Sequence, residues 1–194
     1  MVTHVNAENP GDERGALLAF LEAERGGIRR ALLGLDDKQA AEAPSASELS
    51  LSGILKHVSE VEQSWLARAR QLAPEVPMTR DAWLDSFRLV GDETVESRLA
   101  YWRRVAGETE EFIRGLDTLD ATFPLPNDPW FPPDERVSMR WLLLRLITEM
   151  SRHAGHADII RETLDGKTAF ELVALEHGES REGRSAPGAA AGAS

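Results

Sequence analysis

The stretch VSMRWLLLRLITEMSRHAGHADIIRETL, residues 137–164, decides the fold of this chain. Apolar residues recur along it at steps of three and four, which predicts one long amphipathic helix. This apolar stripe runs through Leu142, Leu146, Met150, Ala157, Ile160 and Leu164. Glu149, His153 and His156 fall on the same face, so the helix is expected to carry three polar side chains toward the interior.

Glu149 and His153 lie four positions apart, and their side chains should therefore point the same way. Burying an ionised carboxylate among leucines costs several kcal/mol unless a partner compensates its charge. Two interpretations satisfy this requirement. One is a divalent metal bound by both residues, and the other is a dense network of buried hydrogen bonds.

A third ligand is expected from the amphipathic segment 50–68, where His57 interrupts an inward row of Ile54, Val61 and Ser64. Together with Glu149 and His153 it would make a three-ligand set with open positions, which is typical of catalytic metal sites. The alternative is a core imidazole bonded to a backbone carbonyl, as part of a polar network without a metal.

The remaining pattern predicts an all-α fold, a four-helix bundle with long loop connections. Its other long helices are expected near residues 12–34, 50–68 and 92–115, with short helical pieces at 37–41 and 169–175. The connection 72–91 holds a possible helical turn at 83–89, and loops of this length often form lids or walls.

A second long connection, residues 124–133, contains five prolines and the aromatic residues Trp130 and Phe131. Proline at this density excludes helix and central strand, so a stiff surface loop is expected. Its rings would form either a pocket wall or a hydrophobic lid over the bundle, and we favour the lid. The domain is expected to span residues 12–176, between a flexible start (1–11) and a disordered tail (177–194).

Composition limits the partners. A formal net charge of −11 and a pI near 4.9 disfavour nucleic acid and anionic membrane surfaces. The chain contains no cysteine, so sulfur chemistry would require a thiol from outside. The polar, acidic first residues do not look like a secretory signal, and no apolar run is long enough to span a bilayer. A cytoplasmic protein is therefore expected.

Three motifs carry a family likeness: LSGILKHVSEVEQSW (51–65), VSMRW (137–141) and EMSRHAGHAD (149–158). They resemble the DinB-like superfamily over residues 12–170, most closely the branch named mini-circle proteins. This resemblance implies a four-helix bundle that holds one divalent metal through three inward side chains. By position these would be His57, Glu149 and His153.

The resemblance also implies a function. Several DinB-like proteins are transferases or isomerases that use a low-molecular-weight thiol, among them the mycothiol-dependent maleylpyruvate isomerases. Many members have three histidines, whereas Glu149 replaces one here, as in those isomerases. The chain lacks their additional C-terminal domain, so maleylpyruvate is not the expected substrate.

We therefore expect a small-molecule substrate or thiol, and a divalent metal among Zn, Ni, Fe and Mn, with Zn favoured. His156 would act as general base or would orient a ligand. Family members often pair through helix faces, which implies a homodimer. The alternative is a dimeric bundle that binds a metal or a small ligand without catalysis.

Overall fold

The computed structural model describes residue 5 and residues 12–77, 79–126 and 131–178. These parts of the chain form helices α1 (Glu13–Ala31), α2 (Asp37–Ala40), α3 (Leu51–Ala69), α4 (Arg80–Asp85) and α5 (Val95–Arg114), strands β1 (Thr122–Pro124) and β2 (Arg136–Ser138), and helices α6 (Met139–Asp165) and α7 (Ala169–Glu176). The predicted all-α fold is confirmed, with one small antiparallel ribbon added to it. None of the described helices is long and apolar enough to cross a membrane.

The four long helices contact one another around a common core: α1 packs along α6, α6 along α3, α3 along α5, and α5 returns to α1. Arg140 near the start of α6 bonds Glu13, and Arg161 near its end bonds the carbonyl of Ala31. Helices α1 and α6 therefore run in the same direction. The short helix α7 covers α1 from outside.

Helix α3, which carries His57, packs against both α5 and α6. Its residue Glu62 contacts Trp102 of α5, and Arg70 farther along bonds the carbonyl of Glu108, so α3 and α5 also run in parallel. Parallel neighbours need a long return connection. Residues 70–94 provide it, and this segment passes beside His57.

Side-chain caps explain where the helices begin. Asp12, Ser50 and Ser138 each accept a hydrogen bond from the backbone N–H three residues later, which satisfies one free donor of the first turn. The predicted starts of α1 and α3 are thereby confirmed. Helix α6 ends at Gly166, whose φ of 76° is a left-handed conformation that glycine adopts without strain.

Three predicted details were wrong. Helix α6 begins at Met139, two residues late, because Val137 pairs with Phe123 in the ribbon. The loop predicted for 124–133 begins one residue late, because Pro124 ends β1 opposite Arg136. Helix α4 lies earlier than the predicted turn at 83–89, because Thr79 caps it by accepting from the N–H of Ala82.

Two predictions on the chain ends are not tested. The segment 1–11, apart from residue 5, lies outside the described residues, and so does the tail from residue 179 onward. The domain limits 12–176 therefore stay a prediction.

A buried ion pair joins α1 to α3 in the core. Glu62 is fully buried and Arg25 is 3 % exposed, and the guanidinium makes a two-point contact with the carboxylate. Trp102 of α5 donates its indole N–H to the same carboxylate at 2.9 Å. Because one carboxylate is shared by three helices, this network fixes their relative positions.

Candidate metal site

The three side chains predicted as metal ligands lie close together where α3 and α6 face each other. His57 lies on α3, and Glu149 and His153 lie one turn apart on α6. Glu149 Oε1 is 3.4 Å from Nε2 of His57 and 3.2 Å from Nε2 of His153. One ligand atom from each residue lies within 4.8 Å of the other two, a spacing that can hold a metal ion. Within the described ranges no other group of histidine and acidic residues has this spacing.

The three side chains are largely shielded from water. His57 is 9 % exposed and His153 is 7 % exposed, and the side chain of Glu149 is 13 % exposed. Hydrogen bonds to His153 and His57, together with Arg145, hold the pKa of Glu149 well below its usual range, although burial acts to raise it. Glu149 is therefore an anion at neutral pH, in contact with two imidazoles and one guanidinium.

Apolar packing, independent of the polar residues, holds the site in place. Leu146 and Met150 on α6, and Ile54 and Val58 on α3, are all fully buried. These residues sit within one turn of the three polar side chains and anchor both backbones to the core. Apolar burial on both helices therefore places the three side chains, and we expect the fold to tolerate the loss of any one of them.

The connection between α3 and α5 supplies the surroundings of His57. The ring of Phe87 stacks on the imidazole with 4.2 Å between centroids and 17° between planes. The hydroxyl of Ser86 lies 3.3 Å from His57 Nδ1, and it donates to the carbonyl of Trp83 at 2.7 Å. The expectation that this long connection forms a wall agrees with these contacts.

An aromatic cluster lies farther along the contact between α3 and α6. Trp65 of α3 makes edge contacts with Trp141 of α6, at 5.4 Å between centroids, and with Phe131, at 6.2 Å. Phe131 is partly buried against the core, which agrees with a hydrophobic lid. Trp130, the other ring named from the sequence, lies outside the described residues.

Arg145 is the charged partner of Glu149 on α6. It lies one turn before Glu149 on α6, forms an ion pair with Glu149 Oε2, and keeps 36 % of its side chain exposed. In this position its guanidinium neutralises the carboxylate that a metal would use. The arginine and a metal ion should therefore compete for Glu149.

Replacing Arg145 with glutamine is expected to raise the affinity for Zn²⁺ about fivefold. The removed charge lies close enough to the ligands for an interaction of roughly 1 kcal/mol even with solvent screening, and 1.4 kcal/mol corresponds to about tenfold. Competition with a chromophoric chelator measures this change. Arg103→Gln removes the same charge from an exposed position of α5 and serves as the control. Unchanged or weaker binding in Arg145→Gln would contradict the competition.

His156 lies beside the ligand set and is not a member of it. Its ring centroid is 5.3 Å from that of His153, and its Nδ1 is buried with no hydrogen-bond partner among the described residues. Burial lowers the pKa of His156, and the charges of His153 and Arg152 act in the same direction. Its catalytic role stays a prediction.

The sequence predicted that the three ligand candidates lie close together. It did not predict the side chains that contact them, Arg145, Ser86 and Phe87. Arg145 could have been found, since it precedes Glu149 by four residues and such pairs meet on a helix surface. Ser86 and Phe87 gave no signal, because a long connection has no periodicity that places its side chains.

Comparisons with known proteins agree on the fold. The sequence matches the family described as mycothiol-S-transferase over residues 16–166. A crystal structure described as the conserved protein of locus from Enterococcus faecalis superimposes with a TM-score of 0.60 at 13% identity, covering 78% of this chain and 96% of that one. At this identity the likeness concerns the fold alone. A comparison with curated proteins gave no significant match.

Proposed function

The chain belongs to the mycothiol-S-transferase family, and from this premise we propose that it joins the sulfur of mycothiol to an electrophilic small molecule. The reaction would take place at a divalent metal held by His57, Glu149 and His153. One observation carries the proposal: two imidazoles and an ionised carboxylate converge within 4.8 Å, and all three side chains are largely shielded from water.

The residues fit a catalytic metal. Two histidine nitrogens and one carboxylate oxygen form a donor set that Zn²⁺ accepts, and three protein ligands leave a position free for a thiol. Ni, Fe and Mn accept the same donors, so the preference for Zn stays a prediction. A divalent ion bound there would lower the pKa of a coordinated thiol and supply a thiolate at neutral pH.

The surrounding side chains have separate tasks. Phe87 covers one face of His57 and limits the access of water. The partly buried rings of Trp141 and Phe131, which contact the buried Trp65, would help to hold the electrophile. The thiol must lose a proton before its sulfur forms the new C–S bond, and His156, beside the ligand set, stays the predicted acceptor. As that bond forms, a haloarene releases its halide, or an epoxide opens one C–O bond and its oxygen takes up a proton.

Thiol transfer should depend on the metal. We expect protein treated with a chelator to lose its ability to join mycothiol to a haloarene or epoxide, and one equivalent of Zn²⁺ to restore it. Glu149→Gln keeps the side-chain size but removes the charge, so Zn²⁺ should not restore this variant. Product formation is followed by mass spectrometry, and metal content by elemental analysis.

The outcomes separate two functions. Stoichiometric metal without transfer to any tested electrophile would contradict the transferase and favour the alternative, a bundle that binds a metal without turnover. Transfer that survives the chelator would contradict the role of the metal. The homodimer and the cytoplasmic location expected from the sequence stay predictions.

A further inference from the structure

We propose that Ser86 is a positioning residue of this site, because its hydroxyl determines which nitrogen of His57 is free to bind a metal. The inference rests on the proposed metal site and adds to it a residue outside the ligand set. Ser86 lies just after α4, in the connection between α3 and α5, and is 6 % exposed.

The hydrogen bonds of Ser86 assign the proton on His57. A serine hydroxyl has one proton, and here it is donated to the carbonyl oxygen of Trp83 at 2.7 Å. The same Oγ lies 3.3 Å from Nδ1 of His57 and can only accept there. Nδ1 must therefore carry the hydrogen, since two acceptors would otherwise face each other.

The assignment determines the chemistry of the other nitrogen. In a neutral imidazole that carries its hydrogen on Nδ1, Nε2 presents a lone pair. This Nε2 of His57 faces the carboxylate of Glu149 at 3.4 Å. The hydrogen bond between Nε2 and Glu149 forms only when the ring also carries a hydrogen there. With its hydrogen on Nδ1 alone, the ring turns a lone pair toward an anion, and a cation between the two atoms would remove this repulsion.

A glycine keeps Ser86 within reach. Gly53 lies one turn before His57 on α3, and a Cβ built there would come within 2.1 Å of the carbonyl oxygen of Phe87. That distance is far below any normal contact, and the obstacle is backbone that cannot rotate away. Only glycine at this position lets the segment of Ser86 and Phe87 pack against α3, where it contacts His57.

The position of the hydrogen on the His57 ring can be measured directly. Nitrogen NMR of the imidazoles, recorded on metal-free protein at alkaline pH, should show His57 with its hydrogen on Nδ1. Ser86→Ala should lose this preference and bind Zn²⁺ about 10–100-fold more weakly, as is typical when the hydrogen-bond partner of a metal ligand is removed. Ser86→Thr keeps the hydroxyl and should restore both. An unchanged tautomer and unchanged affinity in Ser86→Ala would overturn the proposal.

A second pair of variants covers the case in which Ser86→Thr fails to fold. Gly53→Ala should weaken Zn²⁺ binding while helical content is retained, since it displaces the segment without touching Ser86. Gly107→Ala is the control, because the space around this exposed helical glycine is open. Equal affinity in Gly53→Ala and Gly107→Ala would also overturn the proposal.

Failure of the proposed metal site can be distinguished from failure of the role proposed for Ser86. If the wild-type protein binds no divalent metal, the proposed function fails, but the tautomer of His57 still reports on Ser86. A preference for hydrogen on Nδ1 that disappears in Ser86→Ala would then support the positioning role alone.

Discussion

Alanine at His153 is expected to abolish stoichiometric binding of a divalent metal while helical content stays near that of the wild type. The loss should exceed the roughly 10–100-fold effect of removing a hydrogen-bond partner of a ligand, because a bond to the metal itself disappears. The fold should survive, since buried Leu146 and Met150 anchor α6 beside the site. His57→Ala should behave in the same way.

Elemental analysis after dialysis measures the bound metal, and circular dichroism measures the helical content. His177→Ala is the matched control, because this histidine is exposed at the end of α7 and lies outside the ligand set. We expect one metal per chain in the wild type and in the control. Full metal content in both His57→Ala and His153→Ala would disprove the ligand assignment.

The long helices and the ligand candidates were predictable for one physical reason. A helix buried on one side imposes a period of 3.6 residues, and a charged residue that falls on the apolar face stands out against that period. Glu149 and His153 share α6, so their proximity follows from helix geometry. His57 was assigned from its own apolar row, and the packing of α3 against α6 brings it to Glu149.

Other features lacked such a pattern. Strands β1 and β2 contain three residues each, which is too short for an alternation to be recognised. Their pairing depends on the return of the chain after a loop that the sequence describes only as rich in proline. Ser86 reaches His57 because α3 and α5 are parallel, and helix direction is a property of the whole packing arrangement.

Glu62 is a buried charged residue that the sequence does not reveal. It follows the inward-facing Val61 on α3, but single charged residues are usually exposed and it was given no role. The structure buries it completely and surrounds it with Arg25 and Trp102. Its partners come from two other helices, so nothing near it in the sequence indicates the ion pair.

Replacing Glu62 with alanine is expected to lower the free energy of unfolding by about 3–5 kcal/mol, the usual effect of removing one partner from a buried ion pair. Arg25 would keep only the exposed Glu22, at 3.3 Å, and its charge would remain buried with little compensation. Trp102 would lose the acceptor of its indole N–H. Since typical domains are stable by only about 5–15 kcal/mol, urea denaturation should show a large shift of the midpoint.

A surface pair provides the contrast. Glu110 and Arg114 form an ion pair on the exposed side of α5, with side chains 50% and 57% exposed. Glu110→Ala should therefore cost only about 0.3–0.5 kcal/mol. A loss in Glu62→Ala no larger than that in Glu110→Ala would show that solvent or a rearranged Arg25 compensates the buried charge.

The double variant Glu62→Leu with Arg25→Leu tests whether the cost comes from the unpaired charge. Removing both partners leaves no buried charge, so most of the lost stability should return. A double variant as unstable as Glu62→Ala would instead assign the loss to packing around Trp102.

In either case the metal content of Glu62→Ala, measured well below its melting temperature, should equal that of the wild type. The ion pair stabilises the helices that carry the site, whereas His57, Glu149 and His153 would bind the metal, so variants of the two groups should separate stability from binding.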